Sequence, residues 1–251
     1  HAFKRLAVDA AAQIAKGRTG FGMLIDGTYG REALFRAADH DFWIGRPVED
    51  PGSRPLDFEG GGSLAAKLIE LPRNHTIKCL CFYHPDDSAE MKAKQERELL
   101  RLYDAARTLN RELLVEIICG KHGELKDDTS ARVMRRLYEL GIKPDWWKLE
   151  PQASATAWDN IAAVIEKNDP WCRGVVLLGL DAPEEELAKG FAAVAGQPMV
   201  KGFAVGRTIF SNAAQKWLKG EMTDEQAVAD MAQRFQALVD IWNTARARAA
   251  A

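Results

Sequence analysis

Short apolar runs alternate along this chain with longer segments of helical periodicity, and this alternation limits the fold more than any other feature. Apolar runs of this length are typical of strands buried on both faces of a parallel sheet, and helices between them predict βα units. The seven predicted strands are residues 21–26, 42–48, 76–83, 112–118, 144–150, 174–180 and 199–205. The helices predicted after the first strand are residues 31–38, 63–71, 85–109, 128–140, 153–167, 183–195, 212–218 and 223 to about 248.

The amount of apolar sequence fits one large domain. The chain has 251 residues, 47% of them hydrophobic, and a net charge of -2. These values exclude an intrinsically disordered protein and a strongly basic protein that binds nucleic acid through bulk charge. A (β/α)8 barrel of this length still folds as a single domain. We therefore predict an α/β protein, a TIM barrel over residues 1–251, without nucleic acid as a partner.

The start of the chain departs from the barrel pattern. The first 17 residues have helical spacing, and the chain begins with His1 and Ala2 instead of Met. A TIM barrel opens with a strand, so the sequence predicts that the first strand is missing from this chain and that the chain is part of a longer protein. A doubly wound open sheet is the alternative. No G-x-G-x-x-G segment follows the first predicted strand, which weakens a dinucleotide-binding fold.

Other features of the sequence bear on the cellular compartment. No run approaches the ~18 apolar residues that a membrane-spanning helix needs, and the N-terminus lacks a signal-peptide pattern. The four cysteines have neither the spacing of a structural zinc site nor that of a disulfide framework, and they lie in or beside apolar runs. We expect buried thiols in a reducing compartment, and hence a cytoplasmic protein without a membrane partner.

Charged residues interrupt strands that should be apolar, and burying a charge needs a compensating partner or a function. Asp26, Lys78, Glu116 and Lys148 lie inside predicted strands, and Arg207 directly follows the last one. Except for Lys78, the strand residues of this set lie near the carboxyl ends of their strands. Barrel enzymes place their chemistry at that end, so these residues are candidate catalytic or binding groups.

Lys148 is the most informative of them. In the segment PDWWKLEP, strand alternation places Trp146, Lys148 and Glu150 on one face. If that face points into the barrel, lost hydration and the second cation Lys78 both favour the neutral amine, which is the nucleophile that forms a Schiff base with a ketone. The alternative is a buried lysine paired with Glu116 or Glu150. A second lysine and a glutamate on neighbouring strands favour the Schiff base.

Glu116 fits the role of the proton carrier. Schiff-base chemistry needs a carboxyl group during carbinolamine dehydration and C–C cleavage, and a carboxylate between two lysines lies within reach of both. A structural ion pair with Lys78 or Lys148 would give the same sequence, so that interpretation stays open.

The last two strands are followed by candidate phosphate-binding loops. Loops after the seventh and eighth strands of a barrel commonly bind phosphate through glycine N–H groups and the start of a short helix. Gly179, Gly206 and Arg207 lie in or beside these loops, and the short predicted helix follows. The position favours a phosphate-binding site.

Two further segments contain candidate substrate-binding residues. Tyr29 follows Asp26 in IDGTYG, a turn that either binds substrate hydroxyls or caps the next helix. Arg46 and Arg54, with Glu49 between them, either hold a substrate carboxylate or form loop salt bridges.

Histidines raise the alternative of a metal-dependent aldolase or isomerase. His75, His84 and His122 show no i, i+4 spacing and no accompanying carboxylate motif, so we predict neither a metal site nor a cofactor.

Several segments together carry a resemblance to a known family. IDGTYG, IKCLCFYHPDD, LLVEII, DWWKLEP and KGFAVGRTIF occur in this order, and from about residue 20 to 210 the chain resembles the class I aldolases related to tagatose-1,6-bisphosphate aldolase. It is more similar still to the aldolase-like domain that follows a 5-dehydro-2-deoxygluconokinase in bacterial inositol-catabolism proteins. WIGRPVE, GSRPLDFEGG, KCLCFYHPDD, PDWWKLEP and GVVLLGLDAP carry that closer likeness.

The resemblance implies a TIM barrel and specific residue roles. Lys148 would be the Schiff-base lysine, Glu116 the acid/base, Lys78 a second active-site lysine, and Gly206 and Arg207 part of the phosphate site. The implied reaction is cleavage of 2-deoxy-5-keto-gluconate 6-phosphate to dihydroxyacetone phosphate and malonate semialdehyde. The implied arrangement is a covalent fusion to a sugar kinase domain, and a homo-oligomer is compatible with it.

One family feature has no counterpart in this sequence. The family carries an acidic residue in an FDxR-like segment on its first strand, and no such segment precedes the first helix here. The strand lies upstream, or is disordered, or the site is incomplete. The competing function is a non-catalytic sugar-phosphate-binding regulatory domain of an attached kinase, which needs the phosphate site but no Schiff base.

Overall fold

The computed structural model describes residues 1–250 and consists of strands and helices in alternation. The strands are β1 Gly22–Leu24, β2 Trp43–Pro47, β3 His75–Phe82, β4 Leu113–Ile118, β5 Trp146–Leu149, β6 Gly174–Leu178 and β7 Val200–Ala204. The helices are α1 Ala2–Ala15, α2 Arg31–Ala37, α3 Leu64–Ile69, α4 Ala89–Thr108, α5 Thr129–Glu139, α6 Ala155–Asn168, α7 Glu184–Val194, α8 Arg207–Leu218 and α9 Asp224–Ala250. All seven predicted strands are confirmed, and so is the helix that precedes the first.

The strands follow one another in the sheet in chain order, from β1 to β7. The pairs β3–β4, β4–β5 and β5–β6 are parallel, as βα units require. Chain-order parallel strands that alternate with helices are the pattern of an α/β barrel of the TIM type, and the predicted fold class is confirmed.

The start of α8 differs from the prediction. We expected a short helix near residues 212–218, and Thr208, Ile209 and Phe210 before it are residue types that favour strands. In the structure the helix begins at Arg207, and the main-chain N–H groups of Ile209 and Phe210 both donate to the carbonyl of Gly206, at 2.9 and 3.1 Å. These local hydrogen bonds override the strand propensity. Arg207 therefore lies in the first turn of a helix, not in a loop.

The chain contains two compact units. The first comprises His1–Ile44, Leu178–Gly196 and Gly202–Ala251. Within it, α1 packs on α9 through Leu6, Ile14 and Met231. A separate cluster in this unit joins Val8 of α1 to Ile25 and Ile44.

The second unit comprises Gly45–Leu177 and Gln197–Lys201, and it contains the strands that carry Lys78, Glu116 and Lys148. Its buried strand residues alternate in direction. On β5, Trp147 is fully buried and donates from Nε1 to the hydroxyl of Tyr138 on α5 at 2.8 Å. Lys148, the next residue, therefore points to the opposite face of the sheet, away from α5.

A buried arginine fixes the turn that leads into β3. Arg111 is 5% exposed and donates at 2.6–3.0 Å to four main-chain carbonyls, those of Leu68, Leu71, Pro72 and His75. Backbone carbonyls at and beyond a helix end lack helical partners, and the guanidinium supplies charged donors to them. This contact holds the end of α3 and the start of β3 in place.

A capping box lies at the start of α9. The N–H of Thr223 donates to Oε1 of Gln226 at 2.9 Å, and the N–H of Gln226 donates to Oγ1 of Thr223 at 3.3 Å. The start of α5 is different, because Asp128 occupies the N-cap position without a capping bond from its side chain. Thr129 Oγ1 instead accepts the N–H of Lys126 at 2.9 Å.

Candidate active site

The register of three neighbouring strands brings Lys78, Glu116 and Lys148 to one face of the sheet. Glu116 on β4 is the register partner of Lys148 on β5. On β3, Leu80 is the register partner of Glu116, and Lys78 lies two residues earlier and therefore on the same face as Leu80. Lys78 on β3 and Glu116 on β4 thus lie on the same face of the sheet as Lys148 on β5.

The three side chains form a buried ion-pair network. Nζ of Lys148 lies 3.0 Å from Oε1 of Glu116, and Nζ of Lys78 lies 2.9 Å from Oε2 of the same carboxylate. All three side chains are less than 10% exposed. One carboxylate therefore bridges two lysines in an environment with little water, which is the arrangement expected for Schiff-base chemistry.

Glu49 is a fourth member of this network. Its Oε1 accepts a hydrogen bond from Lys78 Nζ, and its side chain is only 7% exposed. The backbone brings it there, because the N–H of Val48 donates to the carbonyl of Lys78 at 3.1 Å. We define Glu49, Lys78, Glu116 and Lys148 as the lysine cluster.

Sequence reasoning placed Glu49 in a loop with Arg46 and Arg54, either around a carboxylate or in salt bridges. It makes a salt bridge, but with a strand lysine. The available signal was an acidic residue directly after the apolar end of a strand, where carboxyl-end groups of neighbouring strands meet.

Burial and neighbouring charges shift the pKa values of the two lysines in opposite directions. Burial is the strongest influence on Lys148, and together with the Lys78 ammonium it lowers the pKa of Lys148 although Glu116 acts in the opposite sense. Burial also opposes the charge of Lys78, but the carboxylates of Glu116 and Glu49 outweigh it and raise the pKa of Lys78. Lys78 therefore stays an ammonium ion, and Lys148 is the amine that loses its proton more readily.

Glu116 is held in its ionised form. Burial alone would raise its pKa, but the charges of Lys148 and Lys78 together keep the pKa of Glu116 below its ordinary value. The cluster then contains a carboxylate that can accept a proton next to an amine that can release one.

Glu150, the other candidate partner of Lys148, has a different role. Its carboxylate accepts the N–H groups of Cys119 and Gly120, the latter at 3.1 Å. It is 4% exposed, and burial raises its pKa. Glu150 thus closes the turn after β4.

The two arginines expected either to hold a substrate carboxylate or to form loop salt bridges lie apart from each other. Arg54 pairs with Asp87 and donates from Nε to the carbonyl of Phe82 at 3.4 Å, so it lies at the carboxyl end of β3. Arg46 lies on β2, and its charge adds to burial in lowering the pKa of His75 at the start of β3. Of the two, Arg54 is at the end of the strands where barrel chemistry is located.

The predicted phosphate-binding residues come together in the first unit. A side chain at Gly179 would approach Val205 to 3.0 Å, so the loops after β6 and β7 are in close contact. Gly206 is the N-cap of α8, and Arg207 opens the helix. The guanidinium of Arg207 is 60% exposed and lies 3.3 Å from Oδ2 of Asp181.

Asp26 and Tyr29 form a turn at the end of β1, also in the first unit. Oδ2 of Asp26 accepts the N–H of Tyr29 at 2.7 Å, and its other oxygen pairs with Lys4. Burial would raise the pKa of Asp26, but these hydrogen bonds and the charge of Lys4 lower it. The Tyr29 ring is 61% exposed. Asp26 thus stabilises the turn before α2, and Tyr29 is open to solvent.

A cleft of about 400 Å³ lies on the helical side of the second unit, between α4 and α5. Among its charged lining residues, Arg136 pairs with Glu96 and Arg132 pairs with Asp86, each at 2.9 Å, and Lys92 donates to the carbonyl of Pro85 at 3.0 Å. No residue of the lysine cluster lines it. The lysine cluster is therefore separate from this cleft.

The histidines do not form a metal centre in the part of the chain that the structure describes. Within residues 1–250, no group of three or more His, Cys, Asp or Glu side chains is placed to hold a metal ion. His84 contacts the carbonyl of Glu124 at 3.1 Å through Nε2, and His122 lies against the ring of Phe82. None of the helices within these residues is long and apolar enough to cross a membrane.

A family model described as "Uncharacterized protein conserved in bacteria (DUF2090)" matches residues 1–246, nearly the whole chain. The chain belongs to this family. A search of curated proteins gave no match. The family assignment therefore rests on nearly full-length agreement with the model, and the fold and the lysine cluster carry the functional argument.

Solved structures with a similar fold include two aldolases. A fructose-bisphosphate aldolase from Plasmodium falciparum, in complex with TRAP and a small-molecule inhibitor, is 13% identical with a TM-score of 0.66, over 95% of this chain and 81% of that chain. A fructose-bisphosphate aldolase from Slackia heliotrinireducens is 16% identical with a TM-score of 0.56, over 91% and 76%. Cgl0159 from Corynebacterium glutamicum is 15% identical with a TM-score of 0.58, over 93% and 76%. The chain thus shares its fold with fructose-bisphosphate aldolases.

Proposed function

We propose that this protein is a class I aldolase that forms a Schiff base on Lys148 and cleaves a phosphorylated keto-sugar acid. The observation that carries the proposal is the buried Lys148–Glu116–Lys78 network, in which one carboxylate lies 3.0 and 2.9 Å from two lysine amines. The fold shared with two fructose-bisphosphate aldolases supports it.

The first stage of the reaction is formation of the iminium ion. The neutral amine of Lys148 attacks the ketone carbon, and a C–N bond forms while the carbonyl oxygen gains a proton. The resulting carbinolamine loses that oxygen as water, and Glu116 carries the protons between nitrogen and oxygen within hydrogen-bonding distance. The product is a positively charged iminium on Lys148, and burial together with the charge of the Lys78 ammonium lowers the pKa of the starting amine.

Cleavage follows from the electron demand of the iminium. A base takes the proton from the hydroxyl one carbon beyond the α-carbon, that oxygen forms a carbonyl, and the C–C bond breaks. The electron pair of that bond moves to the iminium and gives an enamine on Lys148. Protonation of the enamine carbon and addition of water then release the ketone product and restore the amine.

The more specific proposal concerns the substrate. For 2-deoxy-5-keto-gluconate 6-phosphate the products are dihydroxyacetone phosphate and malonate semialdehyde, as part of myo-inositol catabolism. The segments PDWWKLEP and GVVLLGLDAP support it through their resemblance to the aldolase-like domain of that pathway. Gly179, Gly206 and Arg207 are the proposed phosphate contacts, since backbone N–H groups at a helix start and an exposed guanidinium both favour an anion. Fusion to a sugar kinase and a cytoplasmic location belong to the same proposal.

The test is chemical trapping of the Schiff base. The protein is reduced with borohydride in the presence of dihydroxyacetone phosphate, and the labelled peptide is identified by mass spectrometry. We expect the label on Lys148, with loss of labelling in Lys148→Met. Labelling elsewhere, or none on Lys148, would contradict the mechanism.

The control separates an enzyme from a non-catalytic sugar-phosphate-binding domain. Lys148→Met should abolish turnover of 2-deoxy-5-keto-gluconate 6-phosphate, whereas Arg207→Met should weaken binding of the phosphorylated substrate. Wild-type protein that binds the sugar phosphate without turnover or labelling would identify the binding domain instead.

A further inference from the structure

Glu49 is the member of the lysine cluster that the proposed reaction does not use. We infer that Glu49 is a positioning residue, which keeps Lys78 protonated and directed at Glu116 throughout the working pH range. This inference rests on the proposed function, because it concerns the second lysine of the same site.

The contacts of Glu49 engage both oxygens of its carboxylate. Oε1 accepts from Lys78 Nζ, and Oε2 accepts the N–H of Val48 at 3.2 Å. The main chain is fixed on both sides, since Glu49 forms a β-bridge with Phe58 and the N–H of Glu59 donates to the carbonyl of Val48 at 3.2 Å. A carboxylate held in this way orients its partner.

The number of carboxylates next to each lysine shows what the contact between Glu49 and Lys78 does. Lys78 lies between two carboxylates, Glu49 and Glu116, whereas Lys148 has one, Glu116. A buried ammonium next to one carboxylate is only partly compensated for lost hydration, and a second carboxylate favours the charged form. The unequal number of carboxylates therefore assigns the permanent charge to Lys78 and leaves Lys148 as the reacting amine.

The titratable groups that face Lys78 come from three elements. They are Glu49 after β2, Glu116 on β4 and Lys148 on β5. Cys79, the next residue of β3, points to the opposite face, and burial raises the pKa of its thiol well above the ordinary value, so the thiol stays protonated. Removing the Glu49 carboxylate leaves burial opposed by Glu116 alone, which lowers the pKa of Lys78.

The first experiment measures Lys78 directly and does not depend on activity. The Cε and Nζ chemical shifts of Lys78 are followed by NMR against pH and assigned with Lys78→Arg. Wild-type Lys78 should keep its proton above the ordinary lysine pKa, and Glu49→Gln should lower its midpoint by about one pH unit or more. An unchanged midpoint would overturn the inference.

Two variants guard against a loss of folding. Glu96→Gln removes a buried carboxylate that pairs with Arg136 on the helical side, and it should leave the Lys78 midpoint where it is in the wild type. Glu49→Asp keeps the charge on a shorter side chain, so it should lower the midpoint less than Glu49→Gln. If Glu49→Gln does not fold, Glu49→Asp decides the inference. A Lys78 midpoint in Glu49→Asp that equals the midpoint in the wild type and in Glu96→Gln then overturns it.

The second experiment connects Glu49 to the reaction through Lys78. The initial rate of borohydride labelling of Lys148 by dihydroxyacetone phosphate is measured against pH. In Glu49→Gln the decline of the labelling rate at alkaline pH should begin at a lower pH than in the wild type. This shift should be absent in a Lys78→Met background. The same effect in both backgrounds would show that Glu49 acts independently of Lys78. No labelling in the wild type would refute the proposed function, while the NMR titration would still decide the inference.

Discussion

Replacement of Glu116 by glutamine tests the lysine cluster most severely, because this one side chain neutralises two buried cations. Two unit charges about 3 Å apart interact by about 5 kcal/mol at an effective dielectric constant of about 20. Lost hydration of the ions offsets part of this in the wild type. Removing one partner of a buried pair leaves that cost uncompensated, so Glu116→Gln should lower the free energy of unfolding at pH 7 by about 3–5 kcal/mol.

The assay is urea unfolding with matched variants. Glu98→Gln removes a carboxylate whose partners Arg97 and Arg101 are mostly exposed, and it should cost less than about 1 kcal/mol. Lys148→Met combined with Glu116→Gln should be more stable than the sum of the single effects, by at least about 1 kcal/mol, because one uncompensated amine is gone. A Glu116→Gln protein within about 1 kcal/mol of wild type, or strict additivity in the double variant, would refute the reasoning.

Three further predictions concern other parts of the molecule. The rate of reductive labelling of Lys148 should rise with pH through a midpoint below that of a free lysine, because the pKa of Lys148 is lowered. Lys78→Met should move this midpoint upward by removing a nearby cation. A wild-type midpoint at the ordinary lysine value would contradict the lowered pKa of Lys148. Arg111→Met should destabilise the protein by about 2–4 kcal/mol in urea unfolding, since four carbonyls lose a charged donor; a loss below about 1 kcal/mol would show that other groups satisfy them. Thr223→Ala should cost about 1 kcal/mol by removing one half of the capping box, and Thr223→Ser, which keeps the hydroxyl, should restore most of it.

The fold could be predicted from the sequence because its signals are local. Apolar runs between helical segments gave all seven strands, and the charged residues within them marked the face that carries Lys78, Glu116 and Lys148. Strand alternation alone fixes which face a residue lies on, so this part of the site needed no knowledge of the loops.

The role of Glu49 could not be predicted, because it depends on a long-range contact. The residue follows β2, and its partner lies 29 positions later on β3. Its position directly after a strand indicates the end of the sheet at which it lies, but nothing in the local pattern identifies Lys78 as its partner. The early start of α8 at Arg207 was missed for a different, local reason, since hydrogen bonds to Gly206 outweigh the strand preference of the side chains.

The alternation on β5 has a consequence for how the chain folds. A slip of this strand by one residue would move Lys148 into the place of Trp147, against Tyr138, and would leave Glu116 without its partner on β5. Such a misaligned sheet would contain an uncompensated cation among aromatic rings, at a cost of several kcal/mol. The residues proposed for catalysis therefore also make misregistered sheets less stable than the native register during folding.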